Sequence, residues 1–207
     1  MGLLRRAFLS AAALVLAGAA AAEETIVFVR HGEKPAAGLG QLDCQGLNRS
    51  LKLPAVINAM FGKPKAILAP DPAKQKEDEG VLYDYVRPLA TIEPTAIAFG
   101  MPVNAEIGLD DIAALKAELE KNAYRDALIL VGWEHKIINE VECQLMTGSG
   151  CAFKKDENGV KKSGDVVKWD GDDFDRIDVV KIDWSGPKAT IETKSEGLNG
   201  QPETCPQ

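Results

Sequence analysis

The chain has only two histidines, and each stands just past an apolar run. His31 lies in Val29-Arg30-His31-Gly32-Glu33, directly after the run 25–29, and His135 lies in Val131-Gly132-Trp133-Glu134-His135, just past the run 127–131. A neutral imidazole is a competent nucleophile near neutral pH, because its unperturbed pKa is about 6.5. Arg30 sets beside the first histidine a planar, permanently charged fork that grips anionic oxygens in pairs. A lone loop histidine has a bland reading, but both histidines at strand ends, one beside an arginine, point to chemistry on an anion.

Positioning them is the work of the elements around them. The run 25–29 (Thr-Ile-Val-Phe-Val) is β-branched and aromatic, as a strand buried on both faces reads, and 127–131 (Ala-Leu-Ile-Leu-Val) is a second such strand. Residues 65–69 make a shorter one, ended by Pro70. Helices are expected over 47–61, with a break or late start at Pro54, over 88–99, stopped by Gly100 and Pro102, from Asp110 or Asp111 as N-cap, and over 136–145. The charged stretch 71–84 reads as a solvated loop, and 151–175 as polar and glycine-punctuated. Alternation over 177–184 and 189–193 predicts a late hairpin or sheet edge. Strand then helix, repeated, predicts a three-layer α/β/α sandwich on a mainly parallel sheet. In such sheets ligands bind outside the carboxyl ends of the strands, where both histidines fall.

Composition narrows the function classes. With 207 residues, 45% hydrophobic and 27% charged, the chain matches one globular domain and can bury a sizeable core. Residues 1–22 read as an export signal: a basic head with Arg5-Arg6, an apolar stretch, and Ala20-Ala21-Ala22 before Glu23. Arg5-Arg6-Ala7-Phe8-Leu9 also resembles a twin-arginine signature. Residues 23–207 then form a single domain, periplasmic or secreted, with no membrane contact after cleavage. The formal charge of −7 becomes −9 once Arg5 and Arg6 are removed. So acidic a chain has no basic stripe for nucleic acid, although a few placed cations can still hold an anion.

Export makes the four cysteines disulfide candidates rather than thiols or metal ligands. Cys143 and Cys151 bracket a short flexible loop, which leaves Cys44 to pair with Cys205; four cysteines allow three pairings, and the other two stay open. No Cys-x-x-Cys is present, which argues against thiol-redox chemistry.

The segment Arg30-His31-Gly32-Glu33 after an apolar strand resembles the signature of the histidine phosphatase superfamily, with its phosphoglycerate mutase-like fold. Arg87-Pro-Leu-Ala-Thr-Ile-Glu-Pro-Thr-Ala96, followed by Gly100-Met-Pro-Val103, is similar to the family's second-arginine helix, and 128–135 to the strand leading to its second histidine. The likeness spans most of 24–145 and fades beyond.

The resemblance implies a metal-independent phosphatase without a cofactor. His31 attacks phosphorus to form a phosphohistidine that water hydrolyses, Arg30 and Arg87 clamp the phosphate, and His135 donates to its oxygens. The substrate is a phosphorylated small molecule or a phosphoprotein. This suits the chemistry, since a phosphoryl group in transfer spreads charge over its equatorial oxygens and is stabilised by placed donors. A mutase is disfavoured, because metabolic phosphoglycerates are cytoplasmic. The alternative is a catalytically weak phosphate- or phospho-ligand-binding module on the same fold. A poor leaving group also needs an acid. One branch of the family places it shortly after the Pro-Val, which selects Glu106; another places it directly after the second histidine, where this chain has Lys136. Without an acid, the enzyme would prefer acyl phosphates, phosphoramidates or aryl phosphates. Asp110 and Asp111 read as a helix cap, and Glu33 and Glu134 as orienting or capping groups. The family often sets its second arginine a few residues after a Ser-Pro; here Ala69-Pro70 is separated from Arg87 by a charged insertion. That insertion reshapes the mouth of the site, with Tyr83 and Tyr85 anchoring it or touching substrate.

Overall fold

The first apolar run lies within β1 (Glu23–Arg30), where Ile26 and Phe28 face one core and Val27 and Val29 the other. The computed structural model describes residues 23–186 and 188–207; the export signal expected over 1–22 lies outside them. In chain order β1 is followed by α1 (Cys44–Met60), β2 (Ala66–Pro70), β3 (Lys76–Asp78), β4 (Val81–Tyr83), α2 (Arg87–Phe99), β5 (Asn104–Ile107), α3 (Ile112–Leu119), β6 (Leu128–Trp133) and α4 (His135–Thr147). Three short strands, β7 (Lys154–Lys155), β8 (Lys161–Ser163) and β9 (Val166–Val167), precede the long hairpin of β10 (Arg176–Asp183) and β11 (Lys188–Ser195).

The central sheet has the order β11-β10-β1-β6-β2-β5. Strands β1, β6, β2 and β5 run parallel, and β10 and β11 extend the sheet antiparallel. Leu115 and Leu119 of α3 with Ile138 and Val141 of α4 cover one face, and Leu53 and Ile57 of α1 with Ile92 and Ala96 of α2 cover the other. The three-layer sandwich is therefore observed. Its parallel strands are continuous apolar runs because both faces are covered.

Two local expectations are corrected. Helix α1 starts at Cys44, where Asp43 caps it by accepting the Gly46 N–H at 2.8 Å, and it runs straight through Pro54. An interior proline costs a helix about 3 kcal/mol; burial of Leu53 and Ile57, about 1.5–3 kcal/mol for each such side chain, offsets it. The charged stretch 71–84 is not a plain loop but carries the antiparallel hairpin β3–β4, with Lys76 opposite Tyr83. The cap at Asp111 is observed, accepting the Ala114 N–H at 3.0 Å. Both disulfides, Cys143–Cys151 and Cys44–Cys205, are present. The second ties the C-terminal tail to the start of α1, where Asn48 also donates to the Pro202 and Thr204 carbonyls.

Candidate active site

Strand register joins residues a hundred positions apart. Arg30 of β1 lies opposite Trp133 of β6, and the His31 N–H extends the ladder by donating to the Trp133 carbonyl at 3.0 Å. His31 therefore leaves the sheet beside Glu134 and His135, the turn into α4. Its ring is buried, edge-on to Tyr85 at 5.9 Å between centroids and 6.2 Å from Phe174. His31 Nδ1 lies 2.8 Å from the Gly32 carbonyl. A carbonyl only accepts, so Nδ1 carries the hydrogen and Nε2 keeps its lone pair. Burial pushes the His31 pKa down to about 3; the Gly32 carbonyl opposes this, and the charges of Arg30 and Arg87 add to it. At neutral pH the ring is uncharged.

Each arginine is anchored through one nitrogen. Arg30 Nη1 donates to the Gly171 and Asp173 carbonyls at 2.6 and 3.1 Å, and its guanidinium lies 3.9 Å over the Phe174 ring. Arg87 is the first residue of α2, and its Nη2 donates to Asp78 Oδ2 at 2.5 Å while the guanidinium lies 4.6 Å over Tyr85. Arg30 Nε and Arg87 Nε and Nη1 are buried with no hydrogen-bond partner among the described residues. A buried donor without a partner costs about 1–3 kcal/mol, and three on two adjacent cations suit an oxyanion ligand.

His135 opens α4, and Glu134 caps that helix by accepting the Lys136 and Ile137 N–H groups at 2.9 and 3.2 Å. His135 Nδ1 lies 2.9 Å from Glu134 Oε1, without a hydrogen bond of good geometry. Burial works to raise the Glu134 pKa, but contact with His135, the charge of Lys76 and the Ile137 N–H outweigh it and hold the carboxyl at about 2. Glu134 is thus an ionised cap, in line with its capping role in the sequence. The field at His31 comes from Arg30, Arg87 and Glu134, so the structure gathers the three sequence blocks at one end of the sheet.

Glu106 is exposed on β5 and lines a cleft of about 720 Å³ with Lys74, Gln75, Gly108, Asp110 and Asp111. None of Arg30, His31, Arg87 or His135 lines that cleft. Glu33 is occupied by Arg49, which donates to it through Nη2 at 2.6 Å and Nε at 2.9 Å and reaches Glu196 at 2.7 Å. Tyr85 is buried inside the site, whereas Tyr83 stays half-buried on β4.

Residues that sequence reasoning missed come from the insertion and the tail. Asp78 is buried between Arg87 and Lys34, whose Nζ lies 2.8 Å from Asp78 Oδ1. Gly38, at φ +73°, leaves the space Asp78 fills; a Cβ there would overlap its carboxyl. Lys76 Nζ lies 4.9 Å over the Tyr85 ring. Phe174 and the Arg30-gripping carbonyls sit on a strap held by Trp169, whose Nε1 donates to the Asp173 carbonyl at 2.9 Å, and by Asn139 Oδ1, which accepts the Trp169 N–H at 2.7 Å. The only signal for these in the sequence was charge and aromatic content in stretches that read as solvated.

No family model matches the chain, and no curated protein sequence matches it. Solved structures do. A mycobacterial glucosyl-3-phosphoglycerate phosphatase, 12% identical, superposes with a TM-score of 0.51 over 83% of this chain and 97% of that one. A protein from Nakamurella multipartitia named as a candidate phosphohistidine phosphatase, SixA, is 14% identical, with a TM-score of 0.52 over 83% of this chain and 95% of that one. The chain therefore has the phosphoglycerate mutase-like fold found in the histidine phosphatase superfamily.

Proposed function

We propose that this chain is a phosphatase that hydrolyses phosphate monoesters through a phosphohistidine on His31, with Arg30, Arg87 and His135 around the transferred phosphate. The observation that carries the reading is the uncharged His31, with Nε2 as its lone-pair nitrogen, beside three buried arginine nitrogens that lack a partner. Nε2 attacks phosphorus, the arginine donors stabilise the equatorial oxygens, and water releases the phosphate. The phosphatases that share the fold support this reaction class. Neither a metal nor a cofactor enters this chemistry. Among the described residues, no cluster of three or more His, Cys, Asp or Glu is arranged to hold a metal ion.

Two disulfides support an oxidising compartment, and the Ala20-Ala21-Ala22 pattern supports export. Among the described residues no helix is long and apolar enough to cross a membrane.

The test is phosphate release from an aryl phosphate by the oxidised protein with EDTA present, beside His31→Ala. Release by wild type alone, with acid-labile label trapped on the protein, is the expected result. One observation favours the weaker reading of a phospho-ligand-binding module: Asp78 already engages Arg87. If wild type and variant are both silent while phosphate still raises the melting temperature, that reading takes over.

A further inference from the structure

We infer that Lys76 is a catalytic residue of this site, its ammonium meeting the leaving oxygen of the substrate and giving it a proton. The inference rests on the phosphatase reading and supplies the acid which that reading lacks. Lys76 opens β3 on the insertion, and its Nζ lies 4.9 Å over the Tyr85 ring. The Arg87 guanidinium lies 4.6 Å over the same ring, and the His31 ring meets it edge-on at 5.9 Å. One buried tyrosine thus brings the nucleophile, a clamp arginine and this lysine together. Among the described residues no hydrogen bond or ion pair engages the Lys76 ammonium. Lys34, by contrast, is bound to Asp78 and Glu79.

The charged groups facing Lys76 are Glu134, Asp110, Arg87 and Lys136. Glu134, which also caps its helix, and Asp110 favour the charged ammonium, while Arg87 and Lys136 oppose it. Burial lowers the lysine pKa, which makes its ammonium a better proton donor. Of the carboxylates in this region, Glu134 is held ionised and Glu33 is paired with Arg49, while Glu106 and Asp110 line one cleft together.

The step balances. As the bond from His31 Nε2 to phosphorus forms, the ester P–O bond breaks, and the departing oxygen takes a proton from Lys76 Nζ to leave as the alcohol. Water then attacks phosphorus, the P–N bond breaks, and the water proton returns to the neutral amine. The products are alcohol and inorganic phosphate, with the protein unchanged.

The experiment compares wild type, Lys76→Met, Lys76→Arg, Glu106→Gln and His31→Ala on an aryl phosphate and on glycerol 2-phosphate. The aryl phosphate leaves without a proton and the alkyl ester needs one. Lys76→Met should lower kcat for glycerol 2-phosphate by about 10²-fold or more. Its loss on the aryl phosphate should be only a few-fold. Lys76→Arg keeps the charge without a usable proton and should rescue KM but not kcat on the alkyl ester. Equal losses on both substrates would make Lys76 a phosphate ligand only and overturn the inference, as would no loss. A selective loss on the alkyl ester in Glu106→Gln instead would return the role to Glu106. If Lys76→Met melts below the assay temperature, Lys76→Arg carries the same comparison, and wild-type kcat in that variant overturns the inference. Wild type inert on both substrates overturns the phosphatase reading and this inference with it. Wild type active and His31→Ala silent upholds the phosphatase reading, so that a failure in the lysine variants then counts against Lys76 alone.

Discussion

The Thr91 hydroxyl joins the His31 loop to the helix that Arg87 opens: the Gly32 N–H donates to Thr91 Oγ1 at 2.9 Å, and that hydroxyl donates to the Arg87 carbonyl at 2.8 Å. Thr91 is fully buried. A single side chain therefore sets the spacing between the His31 turn and the base of Arg87, which the sheet alone does not fix.

Thr91→Val keeps the shape and removes both bonds, leaving the Gly32 N–H buried without a partner, at a cost of about 1–3 kcal/mol. The expected outcome is a drop of a few degrees in melting temperature and a fall in kcat of about tenfold on the aryl phosphate, with Thr91→Ser close to wild type. A valine variant with wild-type kcat would show that the His31 loop holds its place without this hydroxyl.

Asp78→Ala leaves the buried Arg87 without its carboxylate. Breaking a buried pair by removing one partner costs about 3–5 kcal/mol, so the variant should melt lower than wild type. Inorganic phosphate should restore more of the melting temperature in the variant than it adds to wild type, because the anion replaces the missing charge. Equal phosphate shifts in the two proteins would place the anion away from Arg87.

The His31 pKa of about 3 lies below the unfolded value of 6.5. Between those values the unfolded chain binds a proton that the folded chain does not, so this group lowers stability as pH falls through that window. Nitrogen-detected NMR of the two histidines should show one ring fixed as the Nδ1–H tautomer from pH 8 to 5, and lost in His31→Ala. A midpoint near 6.5 for that ring would contradict its burial between the arginines.

Glu24 is fully buried, with Oε2 accepting from Trp184 Nε1 at 2.8 Å and Oε1 unpartnered. Burial raises its pKa from 4.5 to about 7, with the Trp184 bond and Arg125 opposing and Glu120 adding. Its neutral form is favoured on folding, so its stability contribution is full below pH 4.5 and is lost as pH rises through 7. Glu24→Gln should raise the melting temperature at pH 8 and leave it nearly unchanged at pH 4.5, by roughly 2–4 °C for each kcal/mol recovered. A variant less stable at pH 8 than wild type would mean that the carboxylate is paired rather than neutral.

The parallel sheet was legible in the residues alone, because β1 and β6 are apolar on both faces and only a covered central strand reads that way. Arg30-His31 and His135 were legible there too, each just past an apolar run, whereas Arg87 was selected by the resemblance of its helix to the family's second-arginine helix. What those groups touch was settled by the packing of distant segments. Asp78 and Lys76 lie in a charged stretch that patterning assigns to solvent, and they turn inward because Gly38 opens space and Arg87 and Tyr85 supply a partner and a ring. The Gly171 and Asp173 carbonyls reach Arg30 across 141 and 143 residues, a span no local period encodes. Glu106 was selected by its distance along the chain from Val103; on β5, at the sheet edge, it is exposed and lines a cleft with Asp110 and Asp111. Periodicity reports which side of an element is buried. It does not report which distant segment covers that side, and here that segment sets the chemistry of the site.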